Sequence, residues 1–132
     1  MPGENMEIVR RSIEAFNEGG IAAAMELYAE DLEFHEPPEQ PAPRVARGLK
    51  AAAEVFGQFE QAWAEHRSEP EEIREVGPDK VLLFSIEHFR GRDGVEVSAP
   101  FAGLFTLRDG KIIRWQAFWE RQKALEAAGL SE

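Results

Sequence analysis

The segment LEFHEPPEQPAPRVARG, Leu32–Gly48, opens as a short strand, stops at Pro37-Pro38 and runs through a proline-rich turn into a helix. Strand alternation puts Leu32, Phe34 and Glu36 on one face and Glu33 and His35 on the other. A carboxylate in line with two core residues is the most unusual placement in the chain. Two readings stay open. If the strand includes Glu36, burial disfavours its charge and raises its pKa towards the range of a general base, unless Arg44 or Arg47 folds back on it. If the strand ends at His35, Glu36 already lies in water.

Upstream, Ile8, Val9, Ile13 and Phe16 recur at helical spacing and predict a helix over Glu4–Glu18. Asn17-Glu18-Gly19-Gly20 ends it, because glycine readily takes the left-handed conformation beyond a helix terminus. A short Ala-rich helix, Ile21–Tyr28, turns the corner into the strand. Downstream, Leu49, Ala52, Ala53, Phe56, Phe59 and Trp63 form one stripe of a third helix, Leu49–His66, and Pro70 separates that helix from the C-terminal half.

From Glu71 the period changes to two, predicting strands at Ile73–Val76, Val81–Arg90, Val95–Arg108 and Lys111–Glu120, then a short helix, Arg121–Leu130. Asp93-Gly94 and Asp109-Gly110 read as two-residue hairpin loops. On that register Ile86 pairs with Phe101 and Leu104 with Trp115. One sheet face then holds Leu82, Phe84, Ile86, His88, Phe101, Phe105, Leu107, Ile112 and Phe118. The other holds Leu83, Ser85, Glu87, Phe89, Leu104, Ile113, Trp115, Ala117 and Trp119. Helices first and an antiparallel meander after them predict α+β, with helices on one face of a curved sheet. The second face is also apolar, so a protein surface is expected to cover it.

Composition narrows the function classes. The 132 residues fit one domain, 1–132, with no internal repeat. A formal net charge of −10 repels phosphate backbones and anionic membranes, which argues against nucleic-acid or membrane partners. There is no cysteine, hence no disulfide framework or thiolate metal site, and the cytoplasm is the expected compartment. The three histidines, His35, His66 and His88, show no metal-ligand spacing, and no phosphate-binding or dinucleotide fingerprint occurs, so neither metal nor cofactor is expected.

Phe16-Asn17-Glu18-Gly19, Tyr28-Ala29-Glu30-Asp31, Phe34-His35-Glu36-Pro37 and Arg47-Gly48 together resemble the nuclear transport factor 2-like superfamily. That superfamily includes the SnoaL-like polyketide cyclases and the ketosteroid isomerases. Leu107–Arg114 is similar to its final hairpin, and Ala124–Leu130 to the tail of many bacterial SnoaL-like proteins. The resemblance implies a cystatin-like α+β roll: three N-terminal helices packed on a mostly antiparallel sheet around a cone-shaped pocket. It also implies a homodimer through the outer sheet face and a small hydrophobic ligand.

The lining expected on that basis comprises Phe16, Phe34, Phe56, Phe59 and Trp63 from the helical half. Ser85, Glu87, Trp115, Ala117 and Trp119 would come from the sheet. Glu36 falls where the isomerases place their proton-shuttling aspartate. Their two oxyanion donors fall at Ser12 and at Ala102, or at Gly103 if the hairpin shifts by one, and none of these supplies the equivalent hydrogen bond. Three activities are compatible with this set. One is a cofactor-free isomerase or cyclase with Glu36 as general base. Another is a carboxylate-assisted hydrolase or dehydratase. The third is a ligand-binding or dimer-scaffold protein without turnover.

Overall fold

The computed structural model describes residues 3–130. The elements in chain order are α1 (Glu4–Ala24), a 3-10 turn (Met25–Leu27), β1 (Tyr28–His35), β2 (Val45–Arg47), α2 (Leu49–Glu60), β3 (Glu65–Val76), β4 (Lys80–Arg90), β5 (Glu96–Arg108), β6 (Lys111–Phe118) and α3 (Arg121–Ala127). The six strands form one sheet in the order β2-β1-β6-β5-β4-β3. Every neighbouring pair is antiparallel except β1 with β6. The architecture is α+β, as the sequence predicts. Among the described residues no helix is long and apolar enough to cross a membrane.

The two N-terminal helices merge into one, α1, broken at Gly20, whose φ of 77° and ψ of −170° are open to glycine and costly for other residues. Tyr28 begins β1 rather than ending a helix, because its ring joins the core beside Phe56 and Trp115. β1 stops at His35. The proline-rich segment loops back into β2, a strand that the sequence pattern does not announce, which pairs Phe34 with Ala46 and His35 with Val45. The backbone N–H of Glu36 donates to the Arg44 carbonyl and closes that loop at its neck.

α2 is shorter than its apolar stripe suggests. It ends at Glu60, and Ala64 N–H already donates to the Arg90 carbonyl. Trp63 and His66 therefore leave the helix, and His66 lies on β3 opposite Phe89. Pro70 falls inside β3 next to a register shift. An edge strand tolerates proline there because no ladder partner needs its missing N–H.

The two hairpins differ by one residue. At Asp109-Gly110 both φ values are positive, 51° and 79°, and the loop has two residues with Arg108 opposite Lys111. At Arg92-Asp93-Gly94 only Gly94 has positive φ, 88°. Gly91 N–H donates to the Val95 carbonyl and Gly94 N–H to the Gly91 carbonyl, so this loop has three residues. Ser85 consequently faces Phe101, and Leu83 faces Gly103.

A one-residue slip moves every side chain of a strand to the opposite face. Phe101, Phe105 and Leu107 therefore turn inward and Leu104 outward, the reverse of the expected faces. A further register shift between Thr106 and Leu107 leaves Ile113 as the extra residue of β6. It brings Ile112 inward opposite Leu107, and Trp115 and Ala117 inward opposite Phe105 and Gly103.

Ile8, Val9 and Ile13 of α1 and Ala52 and Phe56 of α2 form the main core with the inner sheet face. On the outer face Leu82, Phe84, Ala102, Leu104 and Phe118 pack against Ala124 and Leu125 of α3. The Arg121 guanidinium lies 3.8 Å from the Phe84 ring centroid. α3 thus covers the part of the apolar outer face formed by these residues.

Leu125→Ala removes a fully buried side chain from this outer cluster. It should lower stability by about 2–5 kcal/mol in urea unfolding while α1 and α2 stay docked on the opposite face.

Candidate functional site

Between α1, α2 and the inner sheet face lies a cavity of ≈ 140 Å³, walled mainly by aromatic and aliphatic side chains. Its size suits one ring or a small ring system. Of the residues expected to line it, Phe16, Phe34, Glu36, Phe56, Phe59, Glu87, Trp115, Ala117 and Trp119 do so. Trp63 and Ser85 do not. Trp63 follows the end of α2 and packs on Phe89, with ring centroids 4.6 Å apart. Ser85 is only 1% exposed and lies behind Glu87, to which it donates. Phe101 and Phe105 join the lining because of the three-residue loop.

Glu36 lines the cavity with its side chain 12% exposed, although the strand ends one residue before it. It does not have the raised pKa of a desolvated base. Arg44 Nε donates to its Oε1 at 2.9 Å, Arg44 Nη2 to its Oε2 at 2.9 Å and the Arg44 backbone N–H to Oε1 at 2.8 Å. The guanidinium hydrogen bond holds this carboxyl below the usual carboxylate range and outweighs burial. Glu33 and His35 face the other way, as strand parity requires, and bond to each other at 2.6 Å. Ser12 lines the cavity, but its hydroxyl donates to the Val9 carbonyl.

The chemically unusual group is His66, which the apolar stripe of α2 put at a helix end. It points into the cavity from β3 instead. Its Nε2 is 2.7 Å from Glu87 Oε1 and its Nδ1 is 2.8 Å from Glu60 Oε2. Glu87, on the inner face as expected, is only 7% exposed. Its Oε2 accepts from Ser68 Oγ at 2.7 Å and from Ser85 Oγ at 2.6 Å. Ser68 is in turn fixed by a reciprocal pair with Asn17 of α1. Asn17 Nδ2 donates to its carbonyl, and its N–H donates to Asn17 Oδ1.

Burial alone would depress the His66 pKa. The hydrogen bonds and charges of Glu60 and Glu87 overcome that and push it up to about 9, so the ring is an imidazolium at neutral pH. The period-two pattern before Ile73 could have revealed it. Glu65, Arg67 and Glu69 alternate with His66 and Ser68 across an edge strand. Among the described residues no cluster of three or more His, Cys, Asp or Glu side chains is arranged to hold a metal ion.

A family model described as the SnoaL-like domain matches residues 9–115. The chain belongs to the SnoaL-like family. No curated protein matches it. Among solved structures, a nuclear transport factor 2-like protein of unknown function from Burkholderia pseudomallei is 17% identical with a TM-score of 0.77, covering 93% of this chain and 95% of its own. A SnoaL-like polyketide cyclase, so described provisionally, from a Jannaschia species is 19% identical with a TM-score of 0.75, covering 100% and 97%. TerC, co-crystallised with polyporic acid, is 21% identical with a TM-score of 0.76, covering 96% and 98%. At these identities the likeness establishes a shared fold, on which many chemistries occur.

The geometry sets two titrations. The His66 imidazole should titrate near 9 by NMR, and Glu87→Gln should lower that value. A raised folded-state pKa stabilises the protein fully below the unfolded value near 6.5, and the contribution is lost as pH rises through about 9. The urea midpoint should therefore fall between pH 6.5 and 9.5 in the wild type and fall less in His66→Gln. Separately, the Glu36 carboxyl should titrate below an ordinary glutamate, and Arg44→Met should raise it.

Proposed function

We propose that this SnoaL-like protein binds a small, largely apolar ring ketone in a cone of helices and sheet and moves a proton on it without a cofactor. The observation that carries this reading is the imidazolium of His66, held between Glu60 and Glu87 in the wall of an aromatic cavity. Glu87 accepts from two hydroxyls as well as from His66, so it fixes the ring through Nε2 and has its oxygens already engaged. Nδ1 is the working atom, because its partner Glu60 is the last residue of α2 and its side chain is 28% exposed.

A carbonyl oxygen entering at Nδ1 takes that N–H as a hydrogen bond. Glu60, released from His66, lies beside the adjacent carbon and accepts its proton, while the Nδ1 proton passes to the oxygen. The product is the enol, with Glu60 protonated and His66 neutral; reversal exchanges the α-proton, and in a β,γ-unsaturated ketone return of the proton to the γ-carbon of the dienol gives the conjugated isomer. The charge on the oxygen develops against the half-buried imidazolium, a donor already set in place. Glu36 closes the wall through Arg44 in this reading, and the guanidinium that lowers its pKa disfavours its taking a proton. TerC, of the same fold, was crystallised with polyporic acid, which supports a ring compound as the ligand class. The second reading is binding without turnover. It is favoured by the fact that both His66 nitrogens and the Glu36 carboxylate already have protein partners.

Deuterium exchange at the carbon next to the carbonyl of a ring ketone such as 1-indanone, monitored by NMR, separates these readings. The wild type should accelerate exchange, and His66→Gln should lose roughly 10²–10⁴-fold. Glu36→Gln should lose far less. Binding without exchange would leave the non-catalytic reading, and loss confined to Glu36→Gln would return the base to that residue.

A further inference from the structure

The proposed reaction uses one ligand oxygen, at His66, and the cavity has a place for another. Ser12, Glu36, Glu60, His66, Ser68 and Glu87 line the cavity, and each already bonds within the protein. Gln40 lines it too, half-buried, and its side-chain amide has no hydrogen-bond partner among the described residues. An amide carries two N–H donors and a carbonyl acceptor, so it can meet either a hydroxyl or a carbonyl oxygen.

The loop between β1 and β2 sets this amide in place. Pro37, Pro38, Pro41 and Pro43 leave the loop few backbone conformations. Within it, the Gln40 N–H donates to the Pro37 carbonyl at 3.0 Å. Glu39 Oε2 on one side accepts from the Trp119 and Glu120 N–H groups at 3.2 and 3.0 Å. Arg44 on the other holds Glu36 and reaches Gln58 Oε1 of α2 at 3.2 Å. A ligand that engages Gln40 therefore orders one side chain and no backbone, which keeps the entropic cost small. In the sheet, β1, which leads into this loop, is separated from β3, which carries His66, by β6, β5 and β4. Gln40 and His66 thus stand on opposite flanks of the cavity, with Phe101 of β5 and Trp115 of β6 on the strands between them.

We infer that Gln40 is a specificity-determining residue whose amide binds a second oxygen of the ring ligand, a hydroxyl or a carbonyl, at the end away from His66. The inference rests on the cavity being the ligand site proposed above. It narrows the substrate class from ring ketones to ring ketones that carry a further oxygen. A ring without that oxygen lays carbon against the amide and displaces its water without replacing the hydrogen bond.

The test compares 1-indanone with the set of 1-indanones carrying one hydroxyl on the aromatic ring, by ligand-observed NMR titration of the wild type, Gln40→Met and Gln40→Ala. Scanning the hydroxyl around the ring finds the position that faces the amide. In the wild type at least one hydroxylated compound should bind roughly three- to tenfold more tightly than 1-indanone. With that compound, and not with 1-indanone, the Gln40 side-chain N–H resonances, assigned as the pair missing from Gln40→Met, should move. The gain should disappear in both variants, which fold because the side chain they replace bonds nothing in the protein. A gain that survives both variants, or a wild type that binds 1-indanone with no gain from any hydroxyl, overturns the inference and leaves the proposed function standing. Failure of every compound to bind the wild type overturns the proposed site itself, and the inference with it.

Discussion

Everything inside the cavity depends on the register of β5 against its two neighbours. Strand side chains alternate, so one parity of β5 faces α1 and α2 and the other faces α3. The Arg92–Gly94 loop assigns Phe101, Gly103 and Phe105 to the first and Ala102 and Leu104 to the second. The small residues fall where something must come close: Gly103 beneath the Trp115 indole, and Ala102 in the cluster covered by α3. In the other register, two phenylalanines would crowd the α3 seat and the cavity would lose much of its wall. The chain's own helices cover the inner face and, through α3, this part of the outer one.

The same inner face must carry a charge. Glu87 shares the inner face of β4 with Ser85 and Phe89, and its carboxylate cannot stay buried unless its oxygens are paired. Ser85 reaches it from its own strand, and Ser68 and His66 from β3. Asn17 anchors Ser68 from α1, so the helix that walls the cavity also sets the geometry of the charged pair. Glu36 solves the same difficulty differently, through one arginine that lies in its own hairpin and also reaches Gln58 of α2. On the far side of the same turn, Glu39 Oε2 accepts from the backbone N–H groups of Trp119 and Glu120 and ties the loop to the end of β6.

The fold class, the family and the inward face of Trp115, Ala117 and Trp119 were legible in the sequence. The last was legible for an incomplete reason. The β4–β5 loop is one residue longer than its Asp-Gly pair suggests, and Ile113 is one residue extra in β6, so β6 lands on the expected face while β5 does not. Asp-Gly marks a turn, but it does not say whether one or both residues adopt positive φ, and that choice decides the register. His66 was hidden because Gln61-Ala62-Trp63-Ala64 contains no helix stop. The stop is tertiary: Trp63 packs on Phe89 and Ala64 bonds to Arg90. The raised pKa expected of Glu36 failed because local spacing cannot tell whether an arginine eight residues away folds back.

In the proposed function, the asymmetry around His66 is what gives the ion pair a direction. Two carboxylates flank one ring, and a symmetric arrangement would give neither nitrogen a role. Glu87 is anchored by two hydroxyls from two strands, so displacing it would leave those donors and a buried charge unpaired. Glu60 has one hydrogen bond to lose and water within reach. A ligand competing for the imidazolium therefore meets little resistance at Nδ1 and a large one at Nε2. In the proposed reaction that difference sets the order of events: the ring stays in place on Glu87, the ligand replaces Glu60, and the freed carboxylate takes the proton.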